Sequence, residues 1–286
     1  MTFMTDDGGF TPTRVAQGGV ESALHFQSTM QTVLDPLIPQ HALVWIDDVI
    51  IFADNVGDFL RVLKVFFELI VQHNLKLSLP QSSLYQTSIN WCGRLISSDG
   101  VRHDPERVSA LSTLPLPRTV EELRYFVCAS NWLHDSLVDY ARTVAPLQVK
   151  LDADRKRIGR RGRNALNVEV EWTPAEKATY EEVLVLIATP ALRSFPRDDD
   201  ELCVFTDANL DGYNIVVTLV CNWDSSKPVD KQEHVVVVCR GGMFKEHQRG
   251  WSIIEREAFP IIQACMELDF ILLRRKGSSF FVITPI

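Results

Sequence analysis

The chain has 286 residues, 46% of them apolar, which is enough for one large or two ordinary hydrophobic cores and too much for a disordered protein. A net charge of −8 and an isoelectric point near 5.4 argue against a surface that grips nucleic acid everywhere, so any such contact must be local. No run of about 18 apolar residues occurs, the start "MTFMTDDGGF" has neither part of a signal peptide, and the six cysteines form no CxxC pair, so a membrane span, secretion and a zinc site are not expected. An intracellular protein, cytoplasmic or nuclear, with reduced and mostly buried thiols is the expectation.

In chain order, residues 1–20 are rich in Gly and Thr, and "QGG" marks a turn before "VESALHFQSTMQTVL", whose apolar spacing predicts a helix ending at Pro36 and Pro39. "ALVWIDDVIIFADN", residues 42–55, sets Asp47 and Asp48 between two apolar runs. Burying an unpaired carboxylate costs several kcal/mol, so this pair must be solvated, neutralised or holding a cation. It is readable as an exposed hairpin turn, as a Mg²⁺ site for phosphoryl chemistry, or as half of an ion pair with a distant basic residue. "DFLRVLKVFFELIVQHN" predicts an amphipathic helix capped by Asp58, and "INWCGRLIS" a single strand ending at "SDG".

"DPERVSALSTL" opens with Asp104 as cap and Pro105 at the first helical position, and "TVEELRYFVCASNWL" carries Thr119 and Glu122 at capping-box spacing. Between 152 and 171 the periodicity fades and six basic residues crowd together: Arg155, Lys156, Arg157, Arg160, Arg161 and Arg163. That stretch reads as a linker, either a solvated hinge or a phosphate-contacting or nuclear-import segment. "TPAEKATYEEVLVLIAT" is again a capped helix, followed by strands in "ELCVFTDANLDG", "YNIVVTLVCNW" and "EHVVVVC", the helical "WSIIEREAFPIIQACMELDFILL", and a fourth strand in "FFVITPI". Asp198 to Glu201 reads as a solvated turn. A strand carboxylate, Asp207, and a helix carboxylate, Glu257, can meet at one sheet edge as a divalent metal requires, or can simply open a turn and face solvent. Pro260 costs its helix about 3 kcal/mol unless the helix kinks or starts late.

Taken together these segments resemble, in the same order, the pol polyprotein of gypsy-class long-terminal-repeat retrotransposons. "QGGVESALHFQ" is similar to the segment that lines the nucleotide and template site, with Gly18, Phe26 and Gln27 at matching positions. "WIDD" resembles the family's aromatic-x-Asp-Asp hairpin, with Trp45 where Tyr is commoner. "NLKLSLPQSSLYQTSINWCGRLISSDGVRHDPERV" resembles the end of the palm and the primer-grip hairpin. "TVEELRYFVCASNWL" and "VAPL" resemble the connecting helices, "EWTPAEKATYEEV" the tether, and "FTDANLDGYNIVV" with "WSIIEREAF" the first half of an RNase H-like domain.

The resemblance implies an α+β chain divided into a partial reverse transcriptase palm at 1–100, a helical thumb or connection segment at 101–151, the basic linker at 152–171, and an RNase H-like domain at 172–286. It implies two-metal phosphoryl transfer in which Asp47 and Asp48 hold Mg²⁺ or Mn²⁺, Asp47 more directly, with Asp207 and Glu257 as two of the acids of a ribonuclease H centre. Lys76 falls where the family places a phosphate-facing lysine, although the residue also reads as a surface lysine on a strand. RNA template, DNA primer and RNA/DNA hybrid are the implied partners. The family's earlier palm aspartate would precede the "QGG" segment, and its third RNase H acid would follow "FFVIT", where Thr284 is followed by Pro285 and Ile286. Asn214 stands where the family often has Gly, and the first hundred residues carry ten acidic against five basic side chains. Weak metal binding and an inactive isolated chain are therefore expected, the alternative being a non-catalytic nucleic-acid-binding or host-retained interaction module.

Overall fold

The computed structural model describes residues 2–11, 18–19, 21–158, 168–274 and 277–282. Helices and strands are mixed, as in the expected α+β class, and the chain divides into two compact units, Met1–Leu84 and Tyr85–Ile286. Among the described residues no helix is long and apolar enough to cross a membrane.

The first unit starts with a short antiparallel pair, β1 (Phe3–Thr5) and β2 (Gly8–Phe10). The predicted helix follows as α1 (Ser22–Val33), then the hairpin β3 (Ala42–Trp45) and β4 (Asp48–Ile51), then α2 (Val56–Gln72). Val62, Phe66 and Ile70 recur every fourth residue of α2, which puts them on one face. That face meets Met30, Val33, Leu34, Leu37 and Ala42 in a buried cluster. The cap of α2 is Asn55, not Asp58: the Asn55 side chain accepts the Asp58 N–H at 3.0 Å and donates to the Asp58 carboxylate at 2.7 Å. Asp58 thus sits in the first turn, where its charge favours the helix N-terminus.

In the second unit, "INWCGRLIS" is two strands rather than one. β5 (Ser88–Trp91) and β6 (Arg94–Ser97) reverse at Cys92 and Gly93, whose φ angles of 49° and 73° suit a tight hairpin, and β7 (Gly100–His103) completes an antiparallel meander. Helices α3 (Pro105–Ser112), α4 (Val120–Asn131), α5 (Tyr140–Ile158) and α6 (Pro174–Ala188) enclose a core that includes Leu123, Phe126, Leu133, Leu147, Val183 and Ile187. Asp104 caps α3, and Thr119 with Glu122 and Thr173 with Glu176 close the two expected capping boxes. Helix α5 continues through Ile158, so 152–158 of the expected linker are helical, while 159–167 lie outside the described residues.

The remaining sheet has the order β10-β9-β8-β11. β8 (Glu201–Ala208), β9 (Gly212–Val220) and β10 (Val235–Met243) are antiparallel neighbours as expected, and β11 (Ser279–Val282) lies parallel to β8. Val204, Ile215 and Val217 pack with Ala264 and Leu268 from α7 (Ile253–Glu267) and Leu272 from α8 (Asp269–Leu272). Pro260 neither ends α7 nor marks its start; it lies buried inside a continuous helix, where apolar packing offsets the missing hydrogen bond. Two further expectations are corrected. Asp200 is buried and accepts the Arg197 N–H at 2.8 Å instead of facing water, and four of the six cysteines, Cys92, Cys128, Cys221 and Cys265, are exposed.

One buried carboxylate links these layers. Asp135, in the short 3-10 turn His134–Ser136, is 5% exposed and meets Arg94 Nη2 at 2.9 Å, Arg193 Nη1 at 2.7 Å and His103 Nε2 at 3.4 Å. Backbone bonds follow the ions: Val101 and Arg193 exchange two at 2.8 and 3.0 Å, Ala191 N–H reaches Ser136 O, and Ser194 N–H reaches Val236 O on β10. The approach is close enough to require glycine at 100, where φ is +136° and a Cβ would lie 2.2 Å from Arg193 O. Burial would raise the Asp135 carboxyl, but the His103 contact and the charges of Arg193 and Arg94 hold it well below the usual carboxylate range.

Asp135→Asn is expected to destabilise the chain by about 3 kcal/mol, since it leaves two partly buried guanidinium groups without counter-charge. Because the native carboxyl titrates below its unfolded value of about 3.9, its contribution is full above about pH 5 and is lost as pH falls through that value towards the native one. Urea unfolding should therefore show the advantage of wild type over Asp135→Asn shrinking from pH 7 to pH 3. An advantage equal at both would contradict this assignment.

Candidate functional site: two carboxylate pairs

The Asp-Asp hairpin of the first unit is built on a strained turn. Trp45 pairs with Asp48, which leaves Ile46 and Asp47 as the two turn residues. Ile46 has φ of 55°, a conformation that a β-branched side chain adopts only at a cost of about 1–3 kcal/mol. Gln27 on α1 holds it there: its side-chain oxygen accepts the Ile46 N–H at 2.5 Å and its amide donates to Val44 O at 3.1 Å. One side chain thus satisfies the strand end and the turn together. Asp47 and Asp48 project into solvent, and neither has a side-chain hydrogen bond or ion pair among the described residues. Water carries the charge of this pair.

The other residues read as a nucleotide or template site are placed differently. Phe26, next to Gln27, is 40% exposed, and Gly18 is exposed with φ of 83°. Lys76 is exposed in a non-regular segment after α2, so the strand expected around it is absent. None of the three bonds to Asp47 or Asp48 among the described residues. Gln27 alone of this group reaches the hairpin, and it positions the turn from behind.

The second pair lies in the second unit. Asp207 occupies the penultimate position of β8, opposite Asn214 on β9. The capping box of Ser252 and Glu255 starts α7, and Arg256 Nη1 donates to Asn209 O at 3.2 Å, which ties the helix to the loop after β8. This places Glu257 facing Asp207, as the sequence suggested. Burial first, and the negative charge of Asp207 second, push the Glu257 carboxyl above its ordinary value, and its Oε2 is buried without a hydrogen-bond partner. A third side chain, which sequence reasoning did not single out, also reaches the pair: Arg142 on α5, with Nη1 3.4 Å from Asp207 Oδ2. No local spacing signals a contact spanning 65 positions.

Among the described residues no group of three or more metal-ligating side chains comes together. The two pairs alone therefore do not fit the ligand set of a two-metal centre. Of the basic patch, Arg155, Lys156 and Arg157 form the last turn of α5, with Arg157 3.4 Å from Asp154; Arg160, Arg161 and Arg163 lie outside the described residues.

Residues 2–96 match the family described as reverse transcriptase (RNA-dependent DNA polymerase). Over 280 residues the chain is 24% identical to the retrovirus-related Pol polyprotein from transposon 297 of Drosophila melanogaster, covering 96% of this chain and 24% of that protein. It is 21% identical to the Pol polyprotein from transposon gypsy of the same fly, covering 98% of this chain and 26% of that protein. The chain thus spans about a quarter of the length of these curated relatives. Among solved structures, the foamy viral protease-reverse transcriptase in complex with dsDNA superposes on the whole chain and 54% of its own with a TM-score of 0.73 at 16% identity. The same enzyme in complex with RNA/DNA hybrid gives 0.74 at 18% identity, again over the whole chain and 35% of its own. These similarities show a shared fold.

Replacing Gln27 with Ala removes both bonds to the hairpin and should cost the first unit about 1–2 kcal/mol. The sharper readout is hydrogen exchange at the Ile46 amide, which is expected to accelerate in Gln27→Ala; unchanged protection there would show that the turn does not depend on Gln27.

Proposed function

The chain is related to the Pol polyproteins of gypsy-type long-terminal-repeat retrotransposons, and from that kinship we propose that residues 1–100 are a palm segment of an RNA-directed DNA polymerase. By the same proposal 101–151 connect the palm to a basic linker at 152–171, and 172–286 are an RNase H-like domain bearing Asp207 and Glu257. The observation that carries the polymerase reading is the presentation of Asp47 and Asp48 side by side on an exposed turn that Gln27 clamps from behind. Adjacent carboxylates on a rigid support are what phosphoryl transfer with divalent cations requires, because the metal must be placed within a fraction of an ångström of the reacting oxygens. The pair is suited to Mg²⁺ or Mn²⁺, which prefer carboxylate oxygens.

Two carboxylates with no companion ligand among the described residues hold such an ion weakly. The reading for this chain by itself is therefore contact with nucleic acid without synthesis. Arg155, Lys156 and Arg157, successive in the last turn of α5, supply the positive charge for that contact. An RNA template, a DNA primer or their hybrid is the partner class.

Two measurements test the proposal. Primer extension on an RNA template with Mg²⁺ or Mn²⁺ should yield no product above background; synthesis that Asp47→Asn abolishes would overturn the inactivity of the isolated chain. Binding of a fluorescent RNA/DNA hybrid should weaken steeply with salt, and replacing Arg155, Lys156 and Arg157 with Ala should flatten the log–log slope by about one for each phosphate contact removed. If no binding occurs at low salt, the proposed contact is wrong.

A further inference from the structure

The first turn of α5 is seated directly on the sheet. A Cβ on Gly241 of β10 would lie 2.8 Å from Tyr213 O, 3.2 Å from Ala141 Cβ and 3.3 Å from Asn214 Oδ1, so helix and strand meet with no room for a side chain between them. Arg142, the residue after Ala141, is thereby held beside the end of β8, where Asp207 stands opposite Asn214. Its guanidinium bridges two carboxylates from different elements. Nε donates to Asp139 Oδ2 at 2.7 Å with Nη2 also on that oxygen, and Nη1 reaches Asp207 Oδ2 at 3.4 Å. Asp139 immediately precedes α5, so it orients the arginine from the same turn.

Positive charge at the Asp207–Glu257 pair is thus supplied by the chain itself. The described residues contribute no third acid or histidine that would shift the balance towards a metal ion. We propose that Arg142 is a built-in counter-ion of this carboxylate pair, one that a divalent cation must displace before it can bind Asp207 and Glu257. The proposal rests on the reading of those two residues as a cation-binding pair. Its physical basis is simple: a guanidinium and a divalent ion about 5 Å apart repel even at a water-like dielectric by enough to lower affinity roughly tenfold. The anchor on Asp139 keeps the guanidinium from swinging freely into solvent. A salt bridge that only tethered α5 to β8 would have no such effect on cation affinity.

The test is Mn²⁺ titration of the full chain, followed by the loss of the free-ion paramagnetic resonance signal, in a background carrying Asp47→Asn and Asp48→Asn to silence the other pair. Arg142 has a side chain 54% exposed, so its replacement leaves the core intact. Arg142→Gln is expected to bind Mn²⁺ about tenfold more tightly than the background, with a gain that shrinks at high salt. Arg142→Lys, which keeps the charge, should stay near the background affinity. Adding Asp207→Asn to Arg142→Gln should remove the gain. If Arg142→Gln binds no more tightly while Asp207→Asn weakens what binding there is, the counter-ion role is wrong and the pair stands. If Asp207→Asn leaves the affinity of Arg142→Gln unchanged, the pair itself is not the cation site, and the reading beneath the proposal falls with it.

Discussion

Two guanidinium groups and one carboxylate meet where the second unit can least tolerate an unbalanced charge. Asp135 accepts from Arg94 on the meander and from Arg193 on the segment that leads into β8, and those two segments are bonded to each other and to β10 through Val101, Arg193 and Ser194. Removing the carboxylate would leave the arginines repelling each other in a region of low polarity. Removing either arginine would leave a buried anion. The meander, the 3-10 turn and the four-stranded sheet are held in one arrangement because only that arrangement neutralises all three groups. Asp207 inherits its position from this frame, since β8 follows directly from the segment that Arg193 anchors.

The two carboxylate pairs handle the same electrostatic problem in different ways. At the hairpin the charges stay in water, and the cost is met in the backbone, where Ile46 adopts a left-handed conformation that a single amide side chain stabilises. At the sheet edge the charges are half-buried, and the cost is met by a cation from another helix and by the raised proton affinity of Glu257. An exposed pair on a rigid turn is open to a cation or a phosphate from solution. A pair already partnered by Arg142 is open only to a ligand that outcompetes an intramolecular charge.

Much of the local architecture was legible in the residues. Capping boxes at Thr119 and Thr173 mark helix starts because a hydroxyl and a carboxylate at that spacing satisfy each other's backbone donors, a purely local condition. The strands of the last sheet, and the hairpin around Asp47 and Asp48, follow from apolar runs broken by turn residues. Misreadings arose where two local signals competed. Asn55 and Asp58 can each cap a helix, and the chain uses the first with the second as support. "INWCGRLIS" alternates as one strand would, and only the reversal at Cys92 and Gly93 splits it. Asp200 looked like one more acid of a solvated run, yet the Arg197 amide draws it inside.

The sequence by itself determined where helices begin, which faces are apolar, the relation to retrotransposon Pol chains, and the presence of two acidic pairs. These depend on side-chain chemistry within a few residues or on motif order along the chain. Tertiary structure alone decided what each charge touches. Gln27 meets the turn that bears Asp47 from a helix nineteen positions earlier, Arg142 reaches Asp207 across 65, and Arg193 reaches Asp135 across 58. A one-dimensional pattern carries no information about such pairs, because any arginine can neutralise any aspartate until packing brings one of them within reach.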